Sequence, residues 1–206
     1  MRTLKMLALG LGMLALSGVA LRADTLVLTA SYNTISFNNV SEGGGSLVGA
    51  TLNGVALAWV YCVQLNTNVN VPGTYNQTIV DNTGKIWNTD PNPSLAAAQQ
   101  IAWLLSQYAN GASLTQQEAL QGAIWHAEGF GDLTMGPGAV QTAYTNMLSA
   151  LGTNTGNVAN YDWMTPGTNG SNQYQGLVTV PDGGLTLMLL GGALVGLETL
   201  RRKFRV

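Results

Sequence analysis

The chain reads as an α+β protein, with an antiparallel, barrel-like β-sheet in its first half and two to three packed helices after it. Three observations carry that reading. Residues 25–80 are rich in β-branched and aromatic side chains that alternate with Asn, Thr and Ser, the period-2 pattern of half-buried strands. Residues 94–151 switch to the 3.6-residue period of amphipathic helices, with capping residues at the starts. The two patterns fall in separate blocks, which argues against an alternating parallel α/β sheet.

Taken in order, Thr25–Ala30 and Tyr32–Phe37 are expected to be strands, and Glu42-Gly43-Gly44-Gly45-Ser46 a loop. Ser46–Leu52 and Val55–Leu65 then form a hairpin turned at Asn53-Gly54, a pair that tolerates the left-handed backbone of a two-residue turn. Asn70–Val80 is a further strand, closed by the turn Asp81-Asn82-Thr83-Gly84. After Asp90-Pro91-Asn92-Pro93, Ser94 caps a helix over 95–108. Ile101, Leu104, Leu105 and Tyr108 lie on one face of it, and Asn110-Gly111 stops it. Thr115-Gln116-Gln117-Glu118 has the form of a capping box for a second helix running to about Ala127. A third helix is expected over 139–151. The Gly/Asn/Thr-rich stretch 154–176 either closes the domain with a strand or acts as a spacer.

Both ends carry targeting patterns. Arg2 and Lys5 precede an apolar run, Met6–Leu16, and the small residues Ser17-Gly18-Val19-Ala20, which is the layout of a secretory signal peptide. Cleavage is expected after Ala23, with Ala20 the alternative. At the other end, Val180-Pro181-Asp182-Gly183-Gly184 is an extended, uncrowded peptide followed by an apolar run to Leu200. That run is about 16 residues, or roughly 24 Å as a helix, slightly short of a bilayer core. Arg201, Arg202, Lys203 and Arg205 follow it, as the positive-inside bias expects of a cytoplasmic end. The expected division is therefore 1–23 signal peptide, 24–155 α+β domain, 156–179 end of domain or spacer, and 180–206 sorting tail with a transmembrane helix.

Charge and rare residues narrow the chemistry. Between Asp24 and Val180 there are eight acidic residues against Lys85 alone, a net charge of about −7. No basic patch exists there for nucleic acid or anionic lipid. Cys62 is the only cysteine, so an internal disulfide is impossible, and His126 is the only histidine, so no Cys/His metal site is expected. Nothing implies a cofactor.

The C-terminal layout resembles the PEP-CTERM family of sorting signals, in a variant where Val-Pro-Asp-Gly-Gly replaces Val-Pro-Glu-Pro. The resemblance covers the tail alone. It implies processing by an exosortase-type enzyme after transient anchoring in the inner membrane of a Gram-negative bacterium that makes extracellular polysaccharide.

Two internal patches carry a second resemblance: Tyr61-Cys62-Val63-Gln64-Leu65 late in a strand, and Ala119-Leu120-Gln121-Gly122-Ala123-Ile124-Trp125 in the second helix. Together they resemble the Cys-Gln thioester domains of bacterial surface adhesins, and short proteins with such pairs occur alongside PEP-CTERM tails. Cys62 matches the family's cysteine and Tyr61 the aromatic residue before it. Gln121 matches its glutamine, with Ala123 and Trp125 the small residue and tryptophan after it. Leu120 departs from the family's Thr, and the 59-residue spacing is shorter than in the larger adhesin domains. The resemblance implies a cross-link between Cys62 and Gln121 that captures an amine or hydroxyl, and thus an attachment protein with no turnover. Gly122 and Ala123 would let a strand approach the helix. Trp125, one turn after Gln121, would shield the linkage, and His126 could at most assist acyl transfer.

Two other readings stand beside it. A cysteine hydrolase needs Cys62 next to His126. A non-covalent matrix protein would bind polysaccharide through Tyr75, Tyr161, Trp163 and Tyr174, taken as exposed aromatics among Asn and Thr.

Overall fold

The computed structural model describes residues 23–180 apart from 30–32, 39, 48, 88–92, 137 and 169–173. The expected signal peptide (but for Ala23) and the tail from Pro181 onward, including its apolar run, lie outside the described residues. Among the described residues no helix is long and apolar enough to cross a membrane.

The core is a curled, seven-stranded antiparallel sheet, a half-barrel, backed by three helices. Its strands are β1 (Ala23–Leu28), β4 (Thr51–Leu52), β5 (Val55–Ala56), β6 (Tyr61–Cys62), β7 (Gly73–Asp81), β8 (Asp162–Thr165) and β9 (Leu177–Thr179), in the spatial order β5-β4-β1-β7-β8-β9-β6. The helices are α1 (Leu95–Tyr108), α2 (Leu114–Trp125) and α3 (Gly138–Leu151). The α+β class thus holds, although the sheet is not confined to the first half. The Gly/Asn/Thr-rich stretch after α3 supplies β8 and β9, which connect β7 to β6. Trp163 and Met164 on β8 and Leu177 and Val178 on β9 have no exposed surface. Short strands flanked by Gly and Asn carry little period-2 signal, so their inclusion rests on tertiary burial.

The hairpin at Asn53-Gly54 forms as expected. Both turn residues have positive φ, 52° and 81°, and Leu52 pairs with Val55. Pairing resumes further down at Leu47 and Val60, where reciprocal N–H···O bonds of 2.9 and 3.2 Å close the ladder. Ser94 caps α1 by accepting from the Ala97 N–H at 3.1 Å.

Two expectations are corrected. Glu42-Gly43-Gly44 is strand, not loop. Residues 40–44 form β3 (Val40–Gly44), paired with β2 (Asn33–Phe37) in a separate two-stranded sheet. Glycine contributes no packing to a strand, so propensity argues against one. Here the lack of a side chain is what the position needs, because a Cβ on Gly44 would lie 2.2 Å from Ile35 Cδ1 and 3.1 Å from Gln121 Cγ. The capping box also sits two residues earlier than expected. Ser113 Oγ accepts from the Gln116 N–H at 3.4 Å, and Gln116 Oε1 accepts from the Ser113 N–H at 2.9 Å. Ser-x-x-Gln satisfies the same four-residue rule as Thr-x-x-Glu, and starting earlier adds half a turn of helix.

Candidate functional site

Strand β6 is an edge of the sheet. It pairs with β9 on one side only, with Tyr61 opposite Val178 and Cys62 opposite Leu177. Beside Cys62 the ladder bond to β9 comes from the next residue, Val63 N–H to Gly176 O at 2.7 Å. The N–H and C=O of Cys62 therefore point away from β9, into the interior. Left there unpaired, each would cost about 1–3 kcal/mol.

Gln121, on the middle turn of α2, fills that edge. Its Oε1 accepts from the Cys62 N–H at 3.0 Å, and its Nε2 donates to the Cys62 C=O at 2.6 Å. A side-chain carboxamide thus stands where a neighbouring strand would be. Both residues have zero exposed surface. The pair singled out from sequence, 59 residues apart, is in direct contact through the backbone of one partner and the side chain of the other.

The surroundings close the contact from several sides. Gly44 at the end of β3 lies against Gln121 Cγ. Trp125, one turn along α2, is 1% exposed, and its ring meets Phe37 of β2 at a centroid distance of 5.2 Å. The β2–β3 hairpin is held in place by the α2–α3 connection. Asn38 N–H donates to Thr134 O at 2.8 Å, Thr134 N–H donates to Asn38 Oδ1 at 2.9 Å, and Gly136 N–H donates to Ser36 O at 2.9 Å. Ala123 is buried in the same turn. Gly122 serves a different contact from the one expected: a Cβ there would meet Met135 Sδ at 2.8 Å and Tyr144 Cδ2 at 3.3 Å, so its small size admits Met135 and α3.

Tyr61 is buried, and burial pushes its phenol well above the ordinary tyrosine range; nearby Ser46 offsets this slightly without reaching hydrogen-bond geometry. It stands beside Cys62 as a neutral group at physiological pH.

His126 is not brought to Cys62. It ends α2, where a π-helical turn, His126–Phe130, begins, and its Nδ1 lies 3.0 Å from Gly131 O and 3.4 Å from Asp132 Oδ1. Its other neighbour is the Tyr144 ring, with centroids 6.4 Å apart. The imidazole Nδ1 is thus engaged by the segment that follows α2.

The aromatic platform expected of a non-covalent sugar binder is also absent from the surface. Tyr75, Tyr161 and Trp163 are 2%, 6% and 0% exposed, and Tyr174 is half-buried with its ring edge-on to Tyr75. Trp163 Nε1 donates to Val158 O at 3.1 Å. Asn- and Thr-rich flanks marked these residues as exposed, but β8 and β9 carry Trp163 and its neighbours into the core.

Sequence reasoning missed a cleft of about 570 Å³ beside the Cys62–Gln121 contact. Phe37 and Trp125 form an aromatic wall, and Asn66, Asn68 and Gln175 contribute amides. Its residues come from β2, β3, the loop after β6, α2 and the approach to β9, so no local signal could have grouped them.

Among the described residues no group of three or more His, Cys, Asp or Glu is placed to hold a metal. What fold and site define is an α+β half-barrel domain whose edge strand is clasped by a buried helix glutamine beside a lone thiol. Comparison with models of protein families, with curated proteins and with solved structures gives no match.

Proposed function

We propose that the chain is an exported surface or extracellular-matrix protein, delivered by an exosortase-type enzyme, whose domain carries an internal Cys62–Gln121 thioester for covalent attachment to amine or hydroxyl groups. The observation that supports the attachment chemistry is the docking of the Gln121 carboxamide on the backbone of Cys62. The Cys62 N–H at 3.0 Å from Oε1 stands where a donor is needed to stabilise negative charge on that oxygen as the carbonyl is attacked. The two bonded groups flank the Cα that carries the thiol. Rotation about the Cys62 Cα–Cβ bond is then the motion that carries Sγ toward Gln121 Cδ.

The step balances without any further reactant. The Sγ–Cδ bond forms and the Cδ–Nε2 bond breaks, and the thiol proton leaves with the nitrogen as ammonia. An incoming amine or hydroxyl later attacks Cδ, its proton passes to Sγ, and Cys62 is restored as a thiol. Holding the groups in one buried contact supplies the effective concentration that an amide, a poor acyl donor, requires. Burial of Cys62, Gln121 and Trp125 limits hydrolysis. The domain's sole lysine adds one consistent detail: Lys85 Nζ sits 3.6 Å from the Trp87 ring centroid, so the one amine of the domain is engaged elsewhere.

Export and sorting rest on the two terminal patterns, Arg2–Ala23 and Val180–Arg205. The precursor is anchored transiently in the inner membrane and the product is released to the envelope or matrix.

A second reading is favoured by the same hydrogen bonds. Gln121 completes the free edge of β6, which is reason enough to bury it, and the protein would then be a structural or polysaccharide-associated matrix component without a thioester. Intact mass separates the two. The thioester reading expects the purified chain to be one ammonia lighter than its sequence, to gain one methylamine on incubation with that amine, and to lose both behaviours in Cys62→Ala. A mass equal to the sequence, with Cys62 alkylated at once on unfolding, leaves the structural reading.

A further inference from the structure

The cleft beside Gln121 has no role in the chemistry above, and its lining is unusual for a domain with a net charge of about −7. None of its lining residues among the described ones is charged. An ammonium group entering it meets no carboxylate from these residues, although the domain as a whole attracts cations. The cleft is lined by the buried rings of Phe37 and Trp125, by Asn66 and Asn68, and by Gln175, whose Nε2 already donates to Gln64 O. The carboxamides of Asn66 and Asn68 each present both a donor and an acceptor, the complement of a hydroxyl group. Asn66 and Asn68 are exposed, so their amides are available to a ligand. Trp125 adds an independent observation. It is 1% exposed, and its Nε1–H has no hydrogen-bond partner among the described residues. Buried donors are seldom left so, and an oxygen acceptor reaching this one would satisfy it.

The position of the cleft matters as much as its chemistry. Trp125 is one helical turn from Gln121, Leu65 is three residues beyond Cys62, and Gly43 precedes the glycine that packs on Gln121 Cγ. A ligand seated there lies against three of the segments that enclose the carboxamide. The volume falls within the range of small-molecule sites, about 300–1,000 Å³.

We infer that this cleft is the acceptor site, and that it takes a neutral, hydroxyl-rich glycan segment in preference to a lysine side chain. The covalent consequence rests on the thioester reading: a sugar hydroxyl attacks Gln121 Cδ, an ester forms, and the hydroxyl proton goes to Sγ of Cys62. The non-covalent recognition does not depend on it.

The test uses the full-length chain and its Cys62→Ala variant, titrated with neutral glucan, mannan and galactan hexasaccharides and with hexalysine. The inference expects at least one neutral hexasaccharide to bind Cys62→Ala reversibly and to shift its Trp125 indole N–H resonance. Asn66→Leu and Asn68→Leu together should weaken it by about tenfold or more, the equivalent of one or two hydrogen bonds. Binding of hexalysine alone, binding unaffected by the two Asn replacements, or no binding by any hexasaccharide overturns it. Glycan binding without the ammonia deficit would leave the cleft standing and remove the thioester, so the two proposals fail separately.

Discussion

Two glutamines are buried along one short edge, and they do different things. Gln121 and Gln64 are 0% and 1% exposed; the first bonds to the backbone of Cys62 and the second to that of Gly176. Gln64 belongs to the strand segment itself. Its Oε1 accepts from the Gly176 N–H at 2.8 Å, while its own carbonyl accepts from Gln175 Nε2, so it knits together two segments that already run side by side. Gln121 arrives from α2, 59 residues away, and uses both ends of its amide on one residue. Burial of a satisfied glutamine is thus a stability device in this sheet. What sets Gln121 apart is that its acyl carbon lies opposite a thiol-bearing residue and is walled by Gly44 and Trp125.

The largest test of that contrast is to truncate each in turn. Gln121→Ala strands both the N–H and the C=O of Cys62 and leaves a cavity, for an expected loss of about 4 kcal/mol in chemical denaturation. Gln64→Ala orphans the Gly176 N–H and should cost about 2 kcal/mol. Gln64→Ala should leave any ammonia deficit and methylamine uptake intact, which Gln121→Ala cannot. Equal loss of amine uptake in both would mean that the chemistry follows stability and not the identity of the glutamine.

Gly44→Ala sharpens the comparison from the other side. The new methyl presses on Ile35 Cδ1 and Gln121 Cγ, so overpacking of about 1–3 kcal/mol is expected, with a change in the rate of amine capture. The same substitution at Gly54, where a Cβ meets nothing within 4 Å, is costly only through its positive φ and should not alter capture. The smallest effect concerns the helix that delivers Gln121. Ser113→Ala should destabilise by about 1 kcal/mol and Thr115→Ala by much less, measured by thermal unfolding; the reverse ranking would move the capping box back to Thr115.

How the elements were legible follows from their length. The three helices are 12 to 14 residues long and each was legible in the sequence, although the start of α2 was placed two residues late. The Asn53-Gly54 turn was equally plain. Strands β6, β8 and β9 have two to four residues, too few to show a period, and β3 is built on glycines that propensity assigns to loops. Two candidate site residues, Cys62 and Gln121, were visible as a motif pair, and the structure sets them in contact. The burial of Tyr75, Tyr161 and Trp163 was not visible, because polar neighbours in sequence say nothing about which strand a segment will pair with.

The sequence alone determined the α+β class, the helix positions, the near absence of positive charge between Asp24 and Val180, and the limits set by one cysteine and one histidine. These are local or compositional properties, readable from spacing and counts. Tertiary structure alone decided that Cys62 lies on a sheet edge turned into the interior, that Gln121 closes that edge, that His126 turns to Gly131 and Asp132, and that a cleft opens beside the pair. The His126 contacts are local, but the others depend on distant segments meeting at one place, 59 residues apart for Cys62 and Gln121, and that meeting is set by which apolar faces bury together, which no local pattern records.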